Sequence, residues 1–592
     1  MSRSPPEPFP VPHATLPFWR TDLHELDSHQ STSDLPQSCD VLIVGSGLSG
    51  ASIAYHVLDN NSSPPSIVIL EARQACSGAT GRNGGHVKPD LYYRVPQYAR
   101  MYGKQAAAEM AVFEMSHVQA IKDLVEKEKI DCDFVLTRAY DVILDPELAE
   151  KTKREFDQLV EETFPTVKDV WYAPAAAART LTGVKDAQCA FSFTVGSLWP
   201  YKLVTHLLSL AVKRGVNLQT HTPVTSVSDT QDADGYWLVS TPRGVVKAKK
   251  VIFATNGYTA GILPEFREKI IPVRGMCSRI AVPEGKEAPS LPSSYSVRHN
   301  AKGADYQITR PDGSIIVGGG RPAYWHKENE WYNNFDDSKM IQPAVTYFDG
   351  LMQRTYRGWE HSDASVDKVW TGILGYTNDL MPYVGAVPSK DGQFVCAGFN
   401  GHGMPAILLT AKGIAKMVLE DCTFEETVLL GARVVLANDF ISVLTWDEEH
   451  HRLAIIHDET AVPKHTNTSG VDHIALKFAS AKDLAQVYRH AKEADITPKV
   501  CLNHGVTTIL YYTDPDGNKI EAHIEAYSDP DDVQRHMKAI DPTNIRAVRF
   551  DPEDLLRRVE AGEDDESLRR AGLLGPQPAS IGSSTAEVAA GG

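Results

Sequence analysis

No stretch of this sequence approaches the roughly 18 consecutive apolar residues that a membrane-spanning helix requires, so no span is expected. Cysteine is sparse and scattered, at 39, 76, 132, 189, 277, 396, 422 and 501, with no Cys-x-x-Cys pair. That excludes the dense disulfide framework of small secreted domains and favours a reducing compartment. Positive charge is also short. Lys+Arg total 59 against 76 Asp+Glu, a net charge of −17, so no basic stripe is available to displace counterions from a nucleic acid. The first residues hold no apolar core of the kind a secretory signal needs, and the last, Ala590-Gly-Gly592, form no Ser-Lys-Leu address. These absences predict a soluble, cytoplasmic protein with no nucleic-acid or membrane partner. At 592 residues the chain exceeds one core and should form roughly three or four units.

Glycine, by contrast, is present in a telling arrangement. Residues 40–50 read Asp-Val-Leu-Ile-Val-Gly-Ser-Gly-Leu-Ser-Gly, an apolar strand that turns through Gly45, Ser46 and Gly47, then Leu48, Ser49 and Gly50, into an apolar-rich helix. In the G-x-G-x-x-G spacing the first glycine allows the tight turn. The second lets a pyrophosphate approach the backbone, and the third lets helix and strand pack closely. The helix N-terminus then offers N–H groups and partial positive charge to the phosphates. A second apolar strand, 66–70, runs straight into Glu71, at the distance where the acid that holds ribose hydroxyls is expected. Together these features predict dinucleotide binding. The following loop, 72–86, is so rich in small residues that its backbone can lie against a flat or anionic ligand; its plain alternative is a flexible loop.

Residues 1 to about 35 are rich in Pro and Ser and read as a flexible leader. Apolar spacing is helical over about 97–130, 147–163 and 203–212, and strand-like over 216–227, 236–240 and 245–249. A buried strand at 251–254 closes on Thr255-Asn256-Gly257, strands dominate from 271 to 320, and another buried strand at 394–398 leads through Gly403 into a helix. The predicted class is α/β. A Rossmann-type nucleotide-binding domain (about 36–90, 195–270 and 365–427) is interleaved with an antiparallel-sheet α+β substrate domain (91–194 and 271–364).

Five segments, in order, carry a resemblance: Gly45-x-Gly47-x-x-Gly50 with Glu71, the loop 77–85, Ala254-Thr-Asn-Gly257, the stretch 370–382 and Gly398-Phe-Asn-Gly-His-Gly403. Over about 36–427 the chain resembles FAD-dependent amine and amino-acid oxidoreductases of the D-amino-acid-oxidase superfamily, of the glycine, sarcosine and γ-glutamylputrescine oxidase kind. The resemblance implies FAD, with Glu71, Ala72 and Arg73 toward the adenosine ribose and Val224 against the adenine. Ser77, Ala79, Thr80, Arg82, Asn83, Gly84, Gly85 and His86 would follow the pyrophosphate and isoalloxazine. Thr255, Asn256, Gly257, Gly372, Gly398, Asn400, Gly401, His402, Gly403 and Met404 would complete the site. Some relatives tether flavin through a cysteine before the Tyr-Thr of the 370s segment; here Leu374 and Gly375 stand before Tyr376, so FAD is expected without a covalent bond.

Reduction leaves negative charge on one flavin edge, which a helix N-terminus stabilises; His402 and Gly403 are the expected residues there, and a simple helix cap is the alternative for His402. On a strand, Tyr306, Ile308 and Arg310 share a face, and Tyr306 with Arg310 could clamp a substrate carboxylate; the plain alternative is a solvated hairpin shoulder. Tyr258 and Tyr376 are expected to wall the pocket, with a place in the core as the alternative for either. The implied reaction is hydride transfer from a carbon bearing an amine to flavin N5, with hydrolysis of the imine and reoxidation by O2 giving H2O2. The substrate is then an amine or amino acid.

Residues 428–560 read as strands around one helix, a βαβββ pattern, and resemble the vicinal-oxygen-chelate superfamily, in particular extradiol dioxygenases. That family holds Fe(II) or Mn(II) with two His and one Glu. His473 and Glu521 match two of those ligands, and His451, His504 and Tyr511 or Tyr512 resemble supporting groups; no His stands between Thr427 and Glu449 for the third. The expectation is a partial module that binds a small molecule or mediates homodimerisation, with ring-cleaving dioxygenase activity, or a flavin-bearing binding protein, as alternatives. Residues 561–592 read as a low-complexity tail.

Overall fold

The computed structural model describes residues 8–59, 61–420, 433–437, 441–445, 453–456, 473–478, 480–493, 496–503, 507–513, 519–527 and 548–570. The chain divides into two compact units, Met1–Leu429 and Leu430–Gly592.

In the first unit the strand Ser38–Val44, the helix Leu48–Leu58 and the strand Ile67–Leu70 follow one another as the apolar pattern predicts. Ile67–Leu70 is buried at every position, as a strand covered on both faces must be. It pairs in parallel with Ser38–Val44 and, on its other side, with Asn217–Gln219. The next parallel strands, Gly244–Phe253 and then Gln393–Ala397, add on the opposite side of Ser38–Val44. Strand order thus reverses beside Ser38–Val44, and the crevice beyond its carboxyl end is where such sheets bind ligands. The helix Leu48–Leu58 packs on the helices Pro200–Lys213 and Ile407–Glu420. Gly50 permits its close start, because a Cβ there would lie 2.0 Å from the Gly45 carbonyl oxygen.

The second sheet runs Ser365–Thr377, Ile270–Ala281, Ile315–Gly319, Gly303–Thr309, Ser294–Asn300, Val135–Ile143, Cys189–Ser197 and His86–Val87, with Trp171–Pro174 also on Cys189–Ser197. It is antiparallel except at one seam, where Ser294–Asn300 and Val135–Ile143 pair in parallel. These two strands come from different excursions of the chain, so no hairpin dictates their relative direction. Ser365–Thr377, expected among the nucleotide-binding segments, belongs to this sheet and pairs along its length with Ile270–Ala281. The helical stretch expected over 97–130 is two helices, Val95–Tyr102 and Lys104–Glu128, broken at Gly103, whose φ is +89°.

The described part of the expected flexible leader is packed. Trp19 is fully buried among Phe18 and Trp199, and Arg20 pairs with Asp27 at 2.7 Å. Aromatic burial outweighs what the Pro and Ser content suggests.

The second unit contains an antiparallel sheet of Arg433–Ala437, Ile441–Thr445 and Leu453–Ile456. A further sheet is ordered His473–Lys477, Lys519–Glu525, Thr507–Thr513, Val500–Asn503 and Val548–Arg549. The helix Ala481–Glu493 packs on Pro552–Glu560 and Asp565–Arg570. The last of these lies in the expected tail, where Leu568 is buried and the Asp565 carboxylate accepts the Ala481 N–H at 2.6 Å. His451 and His504 lie outside the described residues.

Candidate active site

A cleft of about 690 Å³ opens at the reversal point of the parallel sheet and extends beneath the second sheet. Gly45, Gly47, Leu48 and Ser49 line its inner end. The first N–H groups of a helix have no acceptor within it. That of Leu48 goes to Thr80 Oγ1 at 3.0 Å, which ties the 77–86 loop to the glycine turn. Glu71 also lines the cleft. One carboxylate oxygen accepts from the N–H and hydroxyl of Ser46 (3.0 and 2.7 Å), the other from the Arg73 N–H (3.0 Å), and this second oxygen keeps capacity for a further donor. Ala72, Arg73, Val224, Thr255 and Asn256 lie along the same end, and Ala79, Thr80, Arg82, Asn83, Gly84 and His86 along the middle.

Several expected contacts are instead supports beneath the cleft surface. Ser46 braces Glu71 and accepts the Cys76 N–H at 3.2 Å. Gly50 packs on Gly45, Gly85 on the Leu198 carbonyl, Gly257 on the Leu374 carbonyl and Gly398 on Thr377. The Ser77 carbonyl accepts from Arg82 Nε at 2.7 Å. The glycines among them clear space for backbone approach, which their spacing alone cannot distinguish from ligand contact. Arg73 is held by Asp337 at 2.9 Å, so it shapes the wall while its charge is already met.

At the opposite wall, Gly372 and the turn Asn400, Gly401, His402, Gly403 and Met404 line the cleft ahead of the helix Ile407–Glu420. Asn400 sits at φ +53°, with its side-chain oxygen accepting the Thr377 N–H at 2.8 Å. His402 does not cap the helix through its ring: its Nε2 meets Glu114 Oε2 at 2.8 Å.

Under the second sheet, Tyr258, Tyr306, Tyr324 and Tyr376 line the cleft. Burial raises the Tyr306 phenol well above its ordinary value and pushes Tyr324 up to about 12, so both stay protonated. His86 donates to or accepts from Ser294 Oγ at 2.7 Å, and burial, with Lys88 nearby, pulls it down to about 3. Arg310, expected beside Tyr306 as a carboxylate clamp, is not in the cleft. It stands past the end of its strand, where Asp133 takes its guanidinium at 2.6 Å and Trp199 lies 4.7 Å beneath it. The arginine that does reach this end is Arg321, which donates to Tyr376 Oη at 2.9 Å. It follows Gly318-Gly319-Gly320, a glycine triplet at a strand end that was the available signal. Phe9 and Pro10 also line the cleft, and the strap they belong to is tied down by Arg73 donating to the Val11 carbonyl (3.1 Å) and Arg82 to Thr15 Oγ1 (3.1 Å).

The elongated cleft, with a helix start and a carboxylate at one end and a helix-preceding turn at the other, fits FAD. In the second unit, His473 pairs in register with Lys519, two residues before Glu521, on adjacent parallel strands. Glu521 is buried, with His523 Nδ1 3.2 Å away. Among the described residues no three His, Cys, Asp or Glu side chains gather as a metal site. Nor is any described helix long and apolar enough to cross a membrane.

Comparison with known proteins agrees with this geometry. Residues 40–417 match the FAD dependent oxidoreductase family, and 427–522 the glyoxalase/bleomycin resistance protein/dioxygenase superfamily. The chain is 23% identical to γ-glutamylputrescine oxidoreductase of Escherichia coli over 388 residues, 65% of this chain and 84% of that protein. It is 37% identical to biphenyl-2,3-diol 1,2-dioxygenase 2 of Rhodococcus globerulus over 155 residues, 25% of this chain and 82% of that protein. The crystal structure of glycine oxidase from Geobacillus kaustophilus superposes with a TM-score of 0.52 at 20% identity, covering 65% of this chain and 95% of that one. The chain therefore belongs to the FAD dependent oxidoreductase family, with a C-terminal segment that belongs to the glyoxalase/bleomycin resistance protein/dioxygenase superfamily.

Proposed function

We propose that the first unit oxidises a C–N bond of a small amine or amino acid, that water hydrolyses the resulting imine, and that O2 takes the electrons to give H2O2. The carrying observation is one cleft that joins the glycine turn and Glu71 to Arg321, Tyr306, Tyr376 and His402. The names of the relatives, an oxidoreductase of γ-glutamylputrescine and an oxidase of glycine, support an amine or amino acid. FAD, held without a covalent bond, supplies a hydride acceptor for the carbon beside the nitrogen.

The chain's own groups position and shield. Arg321 presents a planar fork to a carboxylate, its orientation fixed by Tyr376. Tyr306, Tyr324 and neutral His86 form a wall with no charge of its own, which strengthens electrostatic contacts at the reacting carbon. The Glu114 carboxylate fixes His402 in the turn before the helix Ile407–Glu420, whose N-terminal end favours negative charge. No acid–base triad is required, because a neutral amine needs only alignment of its C–H bond. Anaerobic mixing with amines, amino acids and hydroxy acids tests this reading. Bleaching of the flavin bands by an amine or amino acid is expected; bleaching by hydroxy acids alone, or by nothing, would overturn it.

For the second unit we infer a small-molecule-binding or homodimerising module. The 37% identity to a biphenyl-2,3-diol dioxygenase favours a second reading, ring cleavage with Fe(II) or Mn(II) on His473 and Glu521. That reading predicts metal in the purified chain and its loss in His473→Ala; equal metal content in both would remove it.

A further inference from the structure

The end of the cleft farthest from the glycine turn carries more positive charge than its neighbours neutralise. Lys88 lies 3.0 Å from Asp141, Arg94 3.8 Å from Asp90 and Arg100 3.3 Å from Glu155, so these lysines and arginines are paired. Arg298, Lys302 and Arg321 line the same end. Among the described residues, no ion pair is found for Lys302 or Arg321, and the Arg321 guanidinium instead donates to Tyr376 Oη. Arg298 stands 3.5 Å from Asp141, a carboxylate already served by Lys88 and by the Tyr92 hydroxyl at 3.1 Å. Burial alone would raise Asp141, yet Lys88 and Arg298 hold it below the usual carboxylate range. The Arg298 Nε is buried with no hydrogen-bond partner. Its Cζ lies 3.5 Å from the centre of the Tyr93 ring, which covers one face of the guanidinium and leaves the N–H edge to be met by another group.

A buried guanidinium with an unmet donor is costly unless something else satisfies it. The position of Arg298 relative to Arg321 suggests what. Arg298 pairs across the sheet with Ala304, and a Cβ on the preceding Gly303 would lie 3.7 Å from the Arg321 Cβ. With strands about 5 Å apart, the two arginine backbones are separated by roughly 10 Å, near enough for both long side chains to serve one short chain bearing a carboxylate at each end.

We propose that Arg298, with Lys302 at the rim, forms a second anionic subsite, and that the substrate is an amino acid or N-substituted amino acid carrying a distal carboxylate besides the one at Arg321. This rests on the reading of the cleft as that of an amine oxidoreductase. The overall charge of −17 would by itself disfavour a doubly anionic ligand, so the attraction has to come from the local Arg298, Lys302 and Arg321 charges.

The test is equilibrium binding to the FAD-reconstituted full chain, using unreactive glutarate and its monoamide as probes. Wild type should bind glutarate at least tenfold more tightly than the monoamide. Arg298→Gln should abolish that preference while leaving monoamide affinity within about twofold, and Lys302→Ala, at an exposed position, should shrink it without touching the fold. Equal affinity for the two probes in wild type, or equal weakening of both in Arg298→Gln with a native circular dichroism spectrum, would overturn the proposal. Failure of the amine-oxidation reading shows separately, as flavin that no amine bleaches.

Discussion

Gly50→Ala and Gly47→Ala separate two ways of losing a cofactor. At Gly50 a Cβ would sit 2.0 Å from the Gly45 carbonyl oxygen and 3.1 Å from its carbon, both backbone atoms that cannot rotate away. The helix start must retreat by about 1 Å to restore an ordinary contact, an overpacking cost of roughly 1–3 kcal/mol. The same movement draws the Leu48 and Ser49 end of the helix away from the cleft. Losing one N–H bond to a phosphate costs about 1.5–3 kcal/mol, so FAD affinity should fall roughly 10- to 100-fold. At Gly47 the backbone is unstrained (φ −73°), and a Cβ would meet Thr80 Oγ1 at 3.2 Å and otherwise face the cleft. That variant should bind FAD as poorly as Gly50→Ala while unfolding within about 0.5 kcal/mol of wild type. Fluorescence titration of FAD and chemical unfolding of the apoprotein read the two quantities. Wild-type FAD affinity in either variant, or equal destabilisation in both, would refute the reasoning.

Arg321→Gln should raise KM for an amino-acid substrate by about 10- to 100-fold with little effect on stability, the worth of a charge-assisted fork. Arg310→Gln should do the reverse, leaving KM unchanged and costing roughly 2–3 kcal/mol; this is less than a fully buried pair because Asp133 is partly exposed. Removing residues 1–17 should speed FAD release about tenfold, since the Arg73 and Arg82 contacts to the strap are lost; stopped-flow release rates check this. Burial holds His86 near 3 and His117 near 4, against 6.5 when unfolded, so in the fold both stay neutral. Between about pH 6.5 and 4 the unfolded chain therefore binds protons that the fold does not, and stability present above 6.5 falls as pH drops. The slope is about 1.4 kcal/mol per pH unit per histidine. His117 accepts the Leu409 N–H at Nε2 (3.1 Å), so His117→Gln should lower the slope of unfolding free energy against pH by about one proton.

The nucleotide-binding half was legible because its signals are local: an apolar run, three glycines, an acid at the end of the next strand. The two-residue period of the strand Gly303–Thr309 was also readable, with Tyr306 lining the cleft and Ile308 against Gly85. Arg310 broke the two-residue rule because Asp133 and Trp199, far away in sequence, capture it beyond the strand end. No local pattern shows such a partner. Arg298 was missed because its proposed role lies in a donor, its Nε, that no neighbour meets, which no sequence pattern shows, and Arg321 was missed although the glycine triplet before it marks its strand end. The leader misled through composition: Pro and Ser outnumber the Phe18 and Trp19 that anchor it, but two buried aromatic rings suffice.

The most direct measurement is the FAD content of the purified chain after incubation with excess FAD and gel filtration, read from its visible spectrum. The account predicts one FAD per chain, and sharply less for Gly47→Ala. A colourless wild-type chain that takes up no FAD would contradict it.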